Sequence, residues 1–563
     1  MFKLIKKWVY RHQRKQRKQR EQSAQRRQEA QGRQNAQWQQ EQQDQRSHWK
    51  QQKPFAHNPN HAGDDGSQIP VSNQLQRNKE KIREILGYSQ DIIMRDFQME
   101  REDGTFVDAL VLGIDGLIDE TAVRENVLTP LMSKPLDKEG SLIERTKQRL
   151  YLKNFKLQSD LNQMIIDVLK GSAILLIDGY AQGFVLKIEG FEVRSIAEPP
   201  SEAVVKGPRE GFVESIATNT ALLRRRIQNP ALRFESLTVG QYTKSNVTIA
   251  YIEGIADPQV IERLKARLGQ IQTDSILSSG QLEQHIEDTP YTIFPTVGNT
   301  ERPDKTAAMM LEGRIAILVD GDPVALIVPY LFIQGLQNQE DYSSRPYYAT
   351  FVRLLRLLAF IISSTFPSFY YMAMSFHKEL IPSELIVSFS EARQKVPFPL
   401  FMELVGLMLA FEIVREAGVR MPRVIGQAVS IVGALILGQV SVQAGLIGAP
   451  TIIVVAVSAI SSFIITPIAE VATLLRFLLV IVASFFGFFG ILPVLLAILT
   501  HMASLTSMGV PYLAPIAPFY FKDWKDLFVR LPFPFLRERP NSIPNLRKRR
   551  IEQLPDRRGD SNG

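Results

Sequence analysis

VIGQAVSIVGALILGQVSVQAGLIGAPTIIVVAVSAISSFIITPIA, residues 424–469, runs for 46 positions without a charged side chain. A membrane helix needs about 20 mostly apolar residues to cross a hydrocarbon layer of about 30 Å. The stretch therefore suffices for two crossings, with Gly448-Ala449-Pro450 as the turn between them. Downstream, 471–510 reads as two more, separated around 487–493, with Arg476 near enough to an end to reach the interface along its own stem. Upstream, 354–374 supplies another span, with Arg353 and Arg356 at its entrance. The segment 398–414 is short and contains Glu403 and Glu412, so it reads as a short span, a re-entrant helix or an interfacial helix. Counting it gives six membrane segments, one of them a short span or a re-entrant helix, and puts both chain ends on one side. Basic residues support that count. Arg415, Arg420, Arg423, Arg476, Lys522, Lys525 and the 547–550 run fall on the side of Arg353 and Arg356, while Lys378, Arg393 and Lys395 are exceptions.

The net charge of +8 misleads if read alone. Residues 1–60 hold 15 Lys or Arg against 4 Asp or Glu, which leaves −3 for the remainder of the 563-residue chain. The basic excess is thus not spread over a folded surface, and no specific nucleic-acid partner is expected. From Gln13 to Gln43 a glutamine stands at every third position. That period matches neither a heptad nor a helical stripe, and no apolar face accompanies it to offset an ordering cost of about 1–2 kcal/mol per residue. Residues 1–72 are expected as a disordered Gln-rich basic tail, with loose attachment to anionic lipid through 11–20 as the functional alternative. Cysteine is absent, which excludes a disulfide framework, a thiol nucleophile and a cysteine-ligated metal.

Between the tail and the apolar region, the patterning is that of a soluble α/β part of two subdomains, 73–200 and 201–345. An apolar strand pattern over 106–118 breaks at Asp115-Gly116. SAILLIDGYAQGFVLKIEG, 172–190, reads as a hairpin turning at Asp178-Gly179. IAILVDGDPVALIVPYLF, 315–332, repeats the arrangement at Asp320-Gly321, which fits either a duplicated module or coincidental turns. A helix over Pro258–Leu268 is predicted, capped by Asp257 and ended by Gly269, with Val260, Ile261, Leu264 and Leu268 on its buried face. Asp178 and Asp320 are explained by turn formation. Arg224-Arg225-Arg226 fits a phosphate contact, a solvated helix face or an interdomain salt bridge. The histidines are scattered, and phosphate loops, the HExxH helix and the nucleophile elbow are missing. No catalytic, cofactor-binding or metal-binding set emerges, so an enzyme is not expected.

The remaining candidates lie in the apolar half, 346–515, which is followed by a basic tail over 516–563. Gln427, Ser430, Ala434, Gly438, Ser441 and Gly445 recur at spacings of three and four, a small-residue stripe that reads as a helix-packing or gating seam. Gln439 and Gln443, four apart on another face, and Glu403 are the candidate polar pathway. Glu403 and Glu412, nine apart, point to opposite helix faces, whereas Glu412 and Arg415, three apart, can pair.

Several long ordered stretches resemble one family. They are EPPSEAVVKGPREGFVESIATNTALLRRRI from Glu198, RFESLTVGQYTKSNVTIAYIEGIADP from Arg233, DSILSSGQLEQHIED from Asp274 and ERPDKTAAMMLEGRIAILVDGDPVALIVP from Glu301. In the apolar half, VPFPLFMELVGLMLAFEIVREAGVRMPR and GQAVSIVGALILGQVSVQAGLIGAP join them. Across about 73–535 the chain is similar to the GerA family of bacterial spore germination proteins, the A subunits of nutrient-germinant receptors. The resemblance implies a multi-pass protein of the spore inner membrane with its soluble region on the core side. It also implies a transporter-like B subunit and a C-subunit lipoprotein as partners, homo-oligomers of A subunits, and an oligomeric nutrient-gated ion channel. The stage-V A-locus F-type sporulation protein shares much of this architecture, and a non-conducting receptor scaffold is the other alternative.

Overall fold

The computed structural model describes residues 68–550 apart from 102–103, 134–141, 153, 191–198, 200–201, 203–205, 422–425, 427–432 and 434. The repeating Gln tract, and 551–563 of the basic tail, lie outside the described residues.

The soluble half is one α/β arrangement built twice. The first copy runs α1 (Leu75–Leu86), β1 (Ile92–Glu100), β2 (Phe106–Ile114), α2 (Leu142–Arg149), β3 (Phe155–Gln158), α3 (Leu161–Leu169), β4 (Ala173–Ile177) and β5 (Gly183–Leu186). The second runs α4 (Ile216–Arg226), β6 (Leu232–Val239), β7 (Ser245–Ile252), α5 (Pro258–Leu268), α6 (Ser279–Ile286), β8 (Gly298–Thr300), α7 (Pro303–Met310), β9 (Ile315–Val319) and β10 (Ala325–Val328). Their antiparallel sheets have the orders β1-β2-β4-β5-β3 and β6-β7-β9-β10-β8, which is the same permutation. Side chains alternate across a strand, so each central strand feeds two cores. Ala173, Leu175 and Ile177 enter one core and Ile174 and Leu176 the other. In the second copy Ile315, Ile317 and Val319 face the α5 and α6 side, while Ala316 and Leu318 face α4 and α7. Each sheet is therefore covered on both faces.

Polar details repeat as well. Gly179 and Gly321 both turn at φ +86°, a left-handed conformation that costs glycine little. The aspartate before each accepts a hydrogen bond from the head of the first helix of its unit: Leu75 N of α1 donates to Asp178 Oδ1 at 2.8 Å, and Ile216 N of α4 to Asp320 Oδ1 at 3.3 Å. Asn78 exchanges two hydrogen bonds with the Ser72 backbone, as Asn219 does with Val213, each across six residues. The two Asp-Gly turns thus belong to a duplicated unit. Helix α5 forms as predicted: Asp257 accepts from Gln259 N at 2.8 Å, and Val260, Ile261, Leu264 and Leu268 are buried.

Of the arginine triplet, Arg224 makes an interdomain salt bridge. Its Nε donates to Asp91 Oδ2 at 2.9 Å and its Nη2 to Asp91 Oδ1 at 3.0 Å. The guanidinium also lies over the Phe234 ring at 5.1 Å. Burial pulls the Arg224 pKa below its usual range, and Asp91 opposes that shift. Arg225 and Arg226 pair instead with Glu210 near the surface.

The helical half contains α8 (Pro346–Ser375), α9 (Ser383–Arg393), α10 (Leu400–Arg420), α11 (Ala449–Ile464), α12 (Ala469–Phe486) and α13 (Phe488–Ser504). The expected breaks are present: Gly448 precedes α11, and Gly487, at φ +56°, separates α12 from α13. Among the described residues, Pro346–Ser375 and Thr466–Phe486 are long and apolar enough to cross a bilayer, while Ala449–Ile464 and Phe488–Ser504 are apolar but shorter. Among the described residues two of the expected spans therefore meet the length requirement, and much of the one expected from residue 424 lies outside them. The glycine and proline breaks cut the uncharged runs into short helices, and α10 carries Glu403, Glu412, Arg415, Glu416 and Arg420. The outward surface is apolar, with Leu358, Ile361, Ile453, Ile460, Phe485 and Leu496 exposed.

Candidate functional site

The helical half is tied to the soluble half by a buried charge cluster. Arg353 and Arg356, three apart at the head of α8, share a helix face. Asp341 Oδ2 accepts from Arg353 Nε at 3.0 Å and from Arg356 Nη1 at 2.8 Å. Arg353 Nη1 also reaches Asp526 Oδ1 at 2.9 Å and the backbone carbonyls of Asp526 and Leu527. Tyr342 donates its hydroxyl to Asp526 Oδ2 at 2.9 Å, and Arg353 and Arg530 both lie over its ring. Burial raises the Asp526 carboxyl pKa, with Arg353 pulling against it. Arg353 and Arg356, expected at the entrance of a span, stand at the head of α8 and are buried by the chain itself. Acids before and after the apolar half reach them, because tertiary folding brings 341 and 526 together.

Around the cluster, the carboxyl-terminal segment returns to the second α/β unit. Arg539 Nε donates to Leu311 O at 2.7 Å, Leu546 N to Ile255 O at 3.0 Å, and Arg550 pairs with Glu312 at 3.1 Å. The expected basic tail is accordingly folded as a strap as far as Arg550. After α13, the hairpin of Thr506–Ser507 and Val510–Pro511 docks on the same unit: Ser507 Oγ donates to Thr296 O at 2.5 Å and accepts from Tyr330 N at 2.8 Å.

A second seam brings α6 to the head of α12. Burial, reinforced by Glu287 and then Glu470, pushes the Glu283 carboxyl up from 4.5 to about 7. Its proton is held more tightly in the fold than in the unfolded chain, so its contribution to stability is complete below pH 4.5. That contribution is lost as pH rises through about 7. Glu283→Gln should therefore melt with the parent at pH 4.5 and above it at pH 8, measured on the full chain in detergent. Equal melting temperatures at pH 8 would refute this.

At the opposite end of the bundle, Glu403 has a fully buried side chain that accepts from Gly448 N at 2.7 Å and lies 3.4 Å from Arg393 Nε. Arg393, an exception to the charge rule, is thereby matched by an acid, while Lys378 and Lys395 remain exposed. Glu412 is elsewhere, paired with Arg415 at 2.6 Å as their spacing predicts. Arg476, expected to reach the interface, is instead wholly buried, because Ser363 of α8 offers it acceptors inside the bundle.

Gln427, Ser430 and Ala434 lie outside the described residues. Gly438 and Gln439 fall in the wide-turned segment Ile436–Val440, Ser441 and Gln443 in the short turn Ser441–Gln443, and Gly445 has φ +68°. Gly438, Ser441 and Gly445 therefore do not share one straight helical face, since a widened turn rotates everything after it. Ser441 is buried and donates to Ile436 O, whereas Gln439 and Gln443 are exposed and not joined to Glu403. A Cβ added at Gly438 would meet, beyond its own helical backbone, no described atom within 4 Å.

Sequence reading missed Asp341 and Asp526 as functional residues. Its usable signal was the pair of arginines beginning an apolar helix, which requires nearby acids if buried.

The family model described as Bacillus/Clostridium GerA spore germination protein matches residues 80–542. Spore germination protein KA of Bacillus subtilis (strain 168) is 38% identical over 494 residues, covering 87% of this chain and 90% of that protein. The uncharacterized membrane protein YfkQ of the same organism is 36% identical over 481 residues, covering 85% and 93% respectively. The crystal structure of the N-terminal domain of the A subunit of the Bacillus megaterium spore germinant receptor GerK3 is 34% identical, covers 47% of this chain and 98% of that chain, and aligns with a TM-score of 0.38. On the extent of the family match and the identities to the two Bacillus subtilis proteins, the chain belongs to the Bacillus/Clostridium GerA family of spore germination proteins.

Proposed function

We propose that the chain is the A subunit of a spore nutrient-germinant receptor, and that copies of it assemble into a nutrient-gated ion channel in the spore inner membrane. Nutrient sensing belongs in this reading to a transporter-like B subunit, with a C-subunit lipoprotein completing the receptor. The observation that carries the mechanical part is the Asp341–Arg353–Asp526 cluster, which joins the head of α8, the returning strap and the soluble region in one rigid contact. A tilt of the soluble units would be transmitted through it to α8.

Six crossings with the soluble region on the core side accord with the contacts at the helix ends. The head of α8 and the tail of α13 both lie beside the soluble half, where His501 meets Thr292 at 3.1 Å. The tail of α8 lies at the other end, with Phe376 against Gly487. Glu403 of α10 and Gly448 before α11 meet there too, next to Arg393.

No described residue outside its own helix crowds the Cβ position of Gly438, which suits a contact with a second copy. Gly438→Leu should leave the monomer's expression and melting unchanged yet weaken assembly. Overpacking of about 1–3 kcal/mol corresponds to roughly 5- to 150-fold weaker association, readable by crosslinking and sizing in detergent. Unchanged assembly would remove this surface from the interface. The functional test is reconstitution with the B and C partners in a defined bilayer. Nutrient-dependent current without stoichiometric nutrient transport is the expected result, and normal assembly with no current would replace the channel reading with a scaffold.

A further inference from the structure

Helix α8 carries Pro367 in its interior. Proline has no N–H, so the carbonyl four residues earlier loses its helical donor. That carbonyl belongs to Ser363, whose residue is fully buried. A buried carbonyl without a donor is costly, most of all where lipid rather than water surrounds the bundle. Two neighbouring helices supply replacements. Arg476 Nε of α12 donates to Ser363 O at 2.9 Å, and Ser458 Oγ of α11 donates to the same oxygen at 2.8 Å. Arg476 Nη2 reaches Ser363 Oγ at 3.1 Å. A wholly buried guanidinium is therefore committed to the one backbone position in α8 that proline leaves open.

Its third nitrogen is not committed. Arg476 Nη1 stands 3.7 Å from Glu412 Oε1 of α10, and both atoms are buried without a hydrogen-bond partner. Closing that gap to an ordinary charge-assisted hydrogen bond needs a movement of about 1 Å. Glu412 is meanwhile held by Arg415 at 2.6 Å, whose Nη1 lies 3.5 Å from Thr473 Oγ1 of α12. Glu412 spends Oε2 on Arg415 and keeps Oε1 free for Arg476, so the alternatives are two positions of the guanidinium: Nε and Nη2 on Ser363, as here, or a shift that seats Nη1 on Glu412 Oε1 and leaves the proline-opened carbonyl to Ser458 alone. Bundles switch between such alternative pairings more readily than they deform continuously.

We propose that Arg476 is the latch of a proline hinge in α8, closed when it holds the Ser363 carbonyl and opened when it transfers to Glu412. The latch lets the half of α8 beyond Pro367 move against α11 and α12 while the half tied to Asp341 and Asp526 stays in place. This extends the gating reading given above, but its first measurement does not depend on conduction.

The test compares Arg476→Met, Pro367→Ala and the double variant in the assembled receptor, using amide hydrogen exchange along α8. Arg476→Met should raise exchange over 364–371 at least tenfold while 350–360 stays within twofold of the parent. Pro367→Ala restores an N–H for Ser363, so exchange over 364–371 should fall below the parent, and nutrient-triggered ion release should slow at least tenfold with assembly intact. The double variant should return to within twofold of Pro367→Ala, because the carbonyl no longer needs the arginine. Should Arg476→Met fail to assemble, recovery of assembly in the double variant supports the latch, and no recovery overturns it. Unchanged exchange in a folded Arg476→Met, or a double variant no better than Arg476→Met, also overturns it. Exchange as expected in receptors that carry no current would preserve the latch and refute the channel instead.

Discussion

Asp341→Asn should destabilise the full chain by about 3–5 kcal/mol, the range for removing one partner of a buried ion pair. The substitution preserves shape but leaves Arg353 and Arg356, both buried, to share Asp526, which only Arg353 reaches in this structure. The loss should register as a lower melting temperature in detergent and as faster proteolysis of the strap, since Asp526 and Leu527 are anchored through the same arginine. Glu416→Gln is the control. Its pair with Arg420 is largely exposed, and such pairs contribute about 0–1 kcal/mol. Equal melting temperatures for Asp341→Asn and the control would show that the cluster does not hold the two halves together.

Arg224→Met should cost a similar amount, about 3–5 kcal/mol, but within the soluble half. It strands the Asp91 carboxylate, whose side chain is 4% exposed, with Ser89 as its remaining side-chain donor. The ring contact with Phe234 is lost in the same step. The informative comparison is Asp91→Leu with Arg224→Met. With neither charge left to desolvate, the double variant should recover most of the lost stability. If it is as unstable as the sum of the single changes, the pair acts through something other than its buried charge. Because Arg224 sits between the α/β units, the single variant should also loosen one unit from the other, visible as two melting transitions where the parent has one.

Local features were legible because their causes are local. The Asp-Gly turns need only a residue that tolerates positive φ and an aspartate that can accept a nearby N–H. Helix α5 needs only a cap, a proline in its first turn and an apolar face. Both therefore stand in the structure where the sequence placed them. The duplication was half legible. Two turns hinted at it, but the proof lies in two sheets of one permutation and in Asn78 and Asn219 making the same loop contacts.

The apolar region shows where local reading stops. Charge-free length identified the helical half and its breaks at Gly448 and Gly487, since hydrophobicity and helix-breaking act over a few residues. It could not say what a charge inside that half would face. Arg476 looked like a residue reaching for the interface, yet its partner, Ser363, is 113 positions away. Arg353 looked like a topology marker, yet one of its acids, Asp526, is 173 positions away. The small-residue stripe drawn at regular helical spacing lost its straight face where the turn widens at Ile436–Val440 and Gly445 leaves the helix. By itself, then, the sequence determined the family, the two-part construction, the turns and the caps. Only the tertiary structure decided which buried charges meet, because burial makes an ion's partner obligatory while chain folding alone chooses it.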